Sequence, residues 1–86
     1  MPNHFDLQIK FTKSSRKHRI GKAHVIHVIK NCEPKFRTLD GVLQIIWLGA
    51  DDRGLELEIL GILDGDLILV IHVMPSKYRK GKQWLI

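Results

Sequence analysis

The sequence predicts a small α+β protein, in which an antiparallel sheet carries two N-terminal helices on one face in the order β-α-α-β-β-β. Three observations lead there. Residues 5–11 alternate apolar and polar side chains, residues 22–31 space theirs as a helix does, and residues 42–73 hold apolar runs separated by turn signals. A chain of 86 residues is a single domain over 1–86, ending in a basic tail over about 76–86. Its apolar share of 44% gives a modest core, with a stability margin of only a few kcal/mol. A homo-oligomer or a bound partner would add to that margin.

The elements follow in order. Phe5, Leu7, Ile9 and Phe11 alternate with Asp6, Gln8, Lys10 and Thr12, the pattern of a half-buried strand. Ser14 or Ser15 can cap a short helix carrying Arg16, Lys17, His18, Arg19 and Ile20, which Gly21 interrupts. In the second helix, Val25, Ile26, Val28 and Ile29 share one side, with His24 and His27 on the other flank. So many β-branched residues make that helix depend on packing, and Pro34 ends it. A three-stranded meander completes the chain. Residues 42–48 are nearly all apolar, and residues 49–54 turn the chain. Leu55, Leu57 and Ile59 then point inward, with Glu56 and Glu58 outward and solvated. Gly61 marks a bulge, Asp64-Gly65 a hairpin, and residues 67–73 a buried strand that Pro75 stops.

The net charge of +5 is unevenly placed. Residues 13–37 hold eight basic residues (Lys13, Arg16, Lys17, Arg19, Lys22, Lys30, Lys35, Arg37) against Glu33. Residues 38–76 hold seven acids (Asp40, Asp51, Asp52, Glu56, Glu58, Asp64, Asp66) against Arg53. Lys77, Arg79, Lys80 and Lys82 follow. A surface polarised in this way suits a phosphate backbone or an acidic partner. No apolar run approaches the ~18–20 residues that cross a bilayer, so no membrane association is expected. The start, from Met1 to Asp6, lacks the charged head and apolar stretch of a signal peptide. Cys32 has no cysteine to pair with, and the expected location is therefore the cytoplasm.

Three short phrases, in this order, resemble the BrnT family of the RelE/ParE-like toxins, which belong to bacterial toxin–antitoxin pairs. Arg16-Lys17-His18-Arg19-Ile20-Gly21 is similar to that family's Arg-Lys-His-Gly-Val phrase at the end of its first helix. The segment from Trp47 to Glu56 resembles its Gly, turn, Gly-Arg-Leu connection between two central strands. The segment from Leu69 to Pro75 stands where the family has an Ile-Ile-Ser-Ala-Arg-Lys strand end. The resemblance spans roughly residues 5–80. It implies a RelE/BrnT-like fold and a toxin that cleaves RNA without metal or cofactor. It also implies neutralisation by a cognate antitoxin, of which a ribbon-helix-helix protein is the expected type.

Metal-free RNA cleavage requires a base for the 2′-hydroxyl, a cation for the pentavalent phosphorane and an acid for the leaving oxygen. Lys17, His18, His72 and Arg79 can supply these as catalytic residues. Arg16, Arg19, Lys77 and Tyr78 are the RNA-binding candidates, Tyr78 by stacking on a base. The alternatives on the same fold are a non-catalytic module that binds nucleic acid or protein, and a ParE-like poison of a DNA topoisomerase. His24 and His27, three apart on a helix, invite a metal, but no third ligand stands at a recognisable spacing. Glu56 and Glu58 look like a solvated strand face rather than a carboxylate pair. Cys32 has no base at a motif spacing, and Gly49 and Gly54 bracket a turn rather than cradle a phosphate.

Overall fold

The computed structural model describes residues 8–78 and shows a small α+β fold: one five-stranded mixed sheet and one α-helix. Strand β1 (Gln8–Phe11) leads through a 3-10 turn (Ser14–Arg16) into helix α1 (Lys22–Asn31). Strands β2 (Lys35–Leu39), β3 (Val42–Ala50), β4 (Glu56–Asp64) and β5 (Leu67–Pro75) follow, then a second 3-10 turn (Ser76–Tyr78). The spatial order is β1-β5-β4-β3-β2. Successive hairpins make β2 to β5 an antiparallel meander, and α1 carries the chain across one face from β1 to β2 at the opposite edge. Among the described residues no helix is long and apolar enough to cross a membrane.

Three expectations are corrected. The sheet is not wholly antiparallel, because β1 runs parallel to β5, with Ile9 beside Ile68 and Phe11 beside Val70. Alternation reveals that a segment is a strand but not which neighbour it finds or in which direction. The first of the two expected helices is instead the 3-10 turn, so the order has one helix. Its hydroxyls bond elsewhere: Ser15 Oγ donates to Thr12 O at 2.7 Å and Ser14 Oγ to Ile71 O at 3.0 Å. Serine and threonine compete with a helical backbone in this way, and too few residues precede Gly21 to nucleate a helix without them. The meander has four strands, since Lys35–Leu39 pairs with β3 as the second sheet edge. Asp40 (φ 52) and Gly41 (φ 79) close that hairpin as a two-residue loop with both φ positive, the type I′ geometry.

Helix α1 buries Val25, Val28 and Ile29 against Ile45 and Trp47 of β3, Leu57 and Ile59 of β4, and Ile68, Val70 and Val73 of β5. Ile9, Phe11 and Ile20 pack on the same cluster. The Asp64-Gly65 hairpin and the bulge at Gly61 stand as expected: Asp64 pairs with Leu67, and the register shifts between Leu60 and Gly61. Glu58 is a further correction. It lies on the face away from α1, yet it is fully buried rather than solvated.

Candidate nucleic-acid interface and active site

Among the described residues, strand β1 pairs with β5 from Leu67 to Val70. Where it stops, the chain stays tied to the β5 edge: the Thr12 N–H and hydroxyl both donate to Val70 O at 3.0 Å, and Ser14 reaches the next carbonyl. These bonds seat the 3-10 turn at the bulge. The next residues, Lys17 and His18, therefore come within electrostatic reach of His72 on β5, more than fifty residues away in sequence. From the other end of β5, Pro75 leads into the second turn, which brings the Tyr78 ring to 6.0 Å from the His18 ring, tilted by 44°. Lys77 holds its ammonium 5.4 Å from the Tyr78 ring centroid. Tyr78 is 55% exposed, so much of its ring is open to a stacking base.

His72 is half-buried, and its pKa lies below the ordinary histidine value of 6.5. Desolvation is the main cause, followed by the positive charges of His18 and Lys17. A neutral imidazole at physiological pH is what a general base requires. Lys17 is exposed and His18 half-buried, so an ammonium open to solvent stands near two imidazoles. Arg79, the fourth catalytic candidate, lies outside the described residues.

Arg16 and Arg19 do not join this cluster. They line a separate hollow together with Ile20, Gly21 and Lys22. Lys22 was not singled out by the sequence pattern; its ammonium stands 5.6 Å from the Phe11 ring centroid. His24 does not stand free on the helix flank. Instead His24 Nδ1–H donates to Asp52 Oδ1 at 2.5 Å, and this bond is the main reason the Asp52 carboxyl titrates below its usual range. His24, Asp51 and Asp52 bring ligand-type atoms within 4.8 Å of one another. However, Asp51 already accepts the Arg53 and Leu55 N–H groups on Oδ1, at 2.8 and 3.0 Å, and the Arg53 guanidinium on Oδ2, at 2.7 Å. The cation beside Asp51 is thus Arg53 itself, and Asp51 is the clamp of the β3–β4 turn. No spacing rule could pair His24 with Asp52, since 28 residues separate them.

Glu56 accepts the Ser76 hydroxyl at 2.5 Å and is exposed. Glu58 pairs with Met74, one row from His72 on the same face, so the two glutamates form no shared exposed site. On the helix side, Ile29, Cys32, Phe36, Trp47, Leu63 and Ile68 line an apolar groove next to edge strand β2. Comparisons of the chain with protein families, with curated proteins and with solved structures found no match.

Proposed function

We propose that the chain is the toxin of a bacterial toxin–antitoxin pair, a metal-independent endoribonuclease on a RelE/BrnT-like fold, neutralised by a cognate antitoxin. The observation that carries this reading is the tie of the 3-10 turn to β5, which brings Lys17 and His18 within electrostatic reach of a half-buried His72 and the His18 ring next to Tyr78. In the cleavage step, neutral His72 accepts the 2′-hydroxyl proton and the 2′ oxygen attacks the adjacent phosphorus. Lys17 offsets charge on the phosphorane, and the P–O5′ bond breaks as His18 gives its proton to the 5′ oxygen. The products are a 2′,3′-cyclic phosphate and a 5′-hydroxyl. Tyr78 offers a ring for the flanking base. An antitoxin has apolar surface to cover, since Phe36, which lines the apolar groove, is 60% exposed and Leu39, on the other face of edge strand β2, is 50% exposed.

The test is incubation of the purified chain, freed of any partner, with a labelled RNA in the presence of a chelator. Cleavage to cyclic-phosphate ends is expected. His72→Ala and Lys17→Ala should each slow it by about 10²–10⁴ and about 10²–10³, respectively. RNA that is bound but left whole would sink the enzyme reading in favour of the non-catalytic module. One observation favours that second reading: His72-Val73-Met74-Pro75 carries no arginine at the end of β5.

A further inference from the structure

Residues 16–19 form a turn with two working sides. Lys17 and His18 serve the His72 side, as described above. The Arg19 N–H donates to Arg16 O at 3.1 Å, and the two arginines of this turn line a hollow of their own. Arg19 occupies the left-handed region at φ 57, a conformation that disfavours any residue with a Cβ and that glycine would adopt without strain. Strain of this kind at a charged surface residue points to a use for that side chain. The reversal at Arg19 also packs Ile20 against the core and borders an open hollow of about 430 Å³ lined by Arg16, Arg19, Ile20, Gly21 and Lys22. That volume is on the scale of a nucleotide rather than of a lone ion. Among the described residues, none of the three cations forms an ion pair. Asp52 is engaged by His24, whose ring edge lies 3.3 Å from where a Gly21 Cβ would stand.

We propose that this hollow is a second phosphate subsite, in which Arg16, Arg19 and Lys22 hold the phosphodiester next to the one placed between Lys17 and His72. The inference rests on the RNA-cleaving reading and deepens it. One strand crosses the 16–19 turn, with successive phosphates on its two sides. Guanidinium forks suit the non-bridging oxygens of a diester, and the apolar side of Ile20 leaves room for a ribose.

The test uses the full chain and fluorescence anisotropy over a salt series. The probes are oligoribonucleotides with a 2′-O-methyl group at the cut site, so that binding is read without cleavage. A dinucleotide carries one phosphate and a trinucleotide two. Arg16→Gln/Arg19→Gln/Lys22→Gln should weaken trinucleotide binding by about ten- to a hundredfold. Its salt slope should become shallower by about 0.7, the change expected when one phosphate of a single strand is no longer neutralised. Dinucleotide binding should hardly change. Arg19→Gly alone should melt no lower than the parent, because it relieves the φ 57 conformation, and should still bind the trinucleotide more weakly. Unchanged trinucleotide affinity in either variant would overturn the subsite while leaving the ribonuclease reading intact. Equal losses for both lengths would overturn it as a separate subsite. A parent chain that binds neither RNA would bring down both this inference and the reading beneath it.

Discussion

Gly49 of β3 sits under the end of α1, close enough that a larger residue must push its neighbours aside. A Cβ built there would fall 2.2 Å from Cys32 Sγ, 3.2 Å from Cys32 Cβ and 3.8 Å from Val28 Cγ1. Carbon atoms in van der Waals contact settle at about 3.5–4.0 Å, so Gly49→Ala must displace the end of the helix. Rotating the Cys32 thiol away removes the worst clash but leaves its Cβ too close. Overpacking of this kind costs about 1–3 kcal/mol, and alanine recovers about 0.4–1 kcal/mol by restricting the unfolded chain. The net expectation is a loss of about 1–2 kcal/mol, which lowers the melting temperature by about 4–15 °C in a domain of this size. Urea denaturation followed by circular dichroism gives the number, and Cys32→Ala in both backgrounds completes the cycle. With Sγ gone, the cost of Gly49→Ala should fall by about 1 kcal/mol, the residual 3.2 Å approach of Cβ preventing full rescue. An equal cost with and without the thiol would refute the argument that Cys32 is seated on Gly49.

Two other expectations follow from charges in the fold. Asp51→Ala removes the carboxylate that holds Arg53 and Leu55, and should cost about 2–3 kcal/mol in the same denaturation assay; a loss under a few tenths would show that the turn holds itself. Burial raises the Asp51 pKa, but the bonds from Arg53 and Leu55 outweigh it and hold the carboxyl below 3.8. Its contribution should be complete above pH 3.8 and disappear as pH falls below that value. His72 is depressed in the same direction but as a base, so the unfolded chain binds its proton more readily than the folded one. Stability should therefore decline as pH drops through 6.5, and His72→Gln should flatten that part of the profile; equal slopes for parent and variant would contradict the assignment.

The parts of the fold that were readable in the sequence are those fixed by local chemistry. The alternation at Ile9 and Phe11, the spacing of Val25, Val28 and Ile29, and the Asp64-Gly65 turn each act over a few residues, and the structure places them as read. Strand β2 carried the same kind of signal, since Asp40-Gly41 repeats the Asp-Gly loop. Pro34 just before it and the charges on Lys35 and Arg37 masked a strand that lies at an edge, where polar side chains are tolerated. Glu58 misled for the opposite reason. Alternation assigns a residue to a face, but burial depends on what covers that face, and no local pattern contains that information. At the site, residue types singled out Lys17, His18, His72 and Tyr78, which the fold gathers. The separation of Arg16 and Arg19 from them depends on a backbone conformation at Arg19 that no propensity of arginine predicts.

How His72 reaches that site depends on the bulge. Strict alternation along β5 would put residue 72 on the same face as Ile68 and Val70, beneath α1, where an imidazole would displace apolar groups of the core. Gly61 pairs with Val70 while Leu60 pairs with His72, so Ile71 has no opposite number and the strand gains one residue there. Beyond that point the faces exchange. Val73 returns to the core and His72 turns to the side shared with Leu60. Gly61 permits this because a Cβ there would stand 3.2 Å from both Ile68 and Trp47, leaving no space for a side chain where the strands readjust. The bulge also frees the carbonyl of Ile71 to accept the Ser14 hydroxyl. One inserted residue therefore both turns His72 off the core face and anchors the turn that brings Lys17 and His18 within electrostatic reach of it.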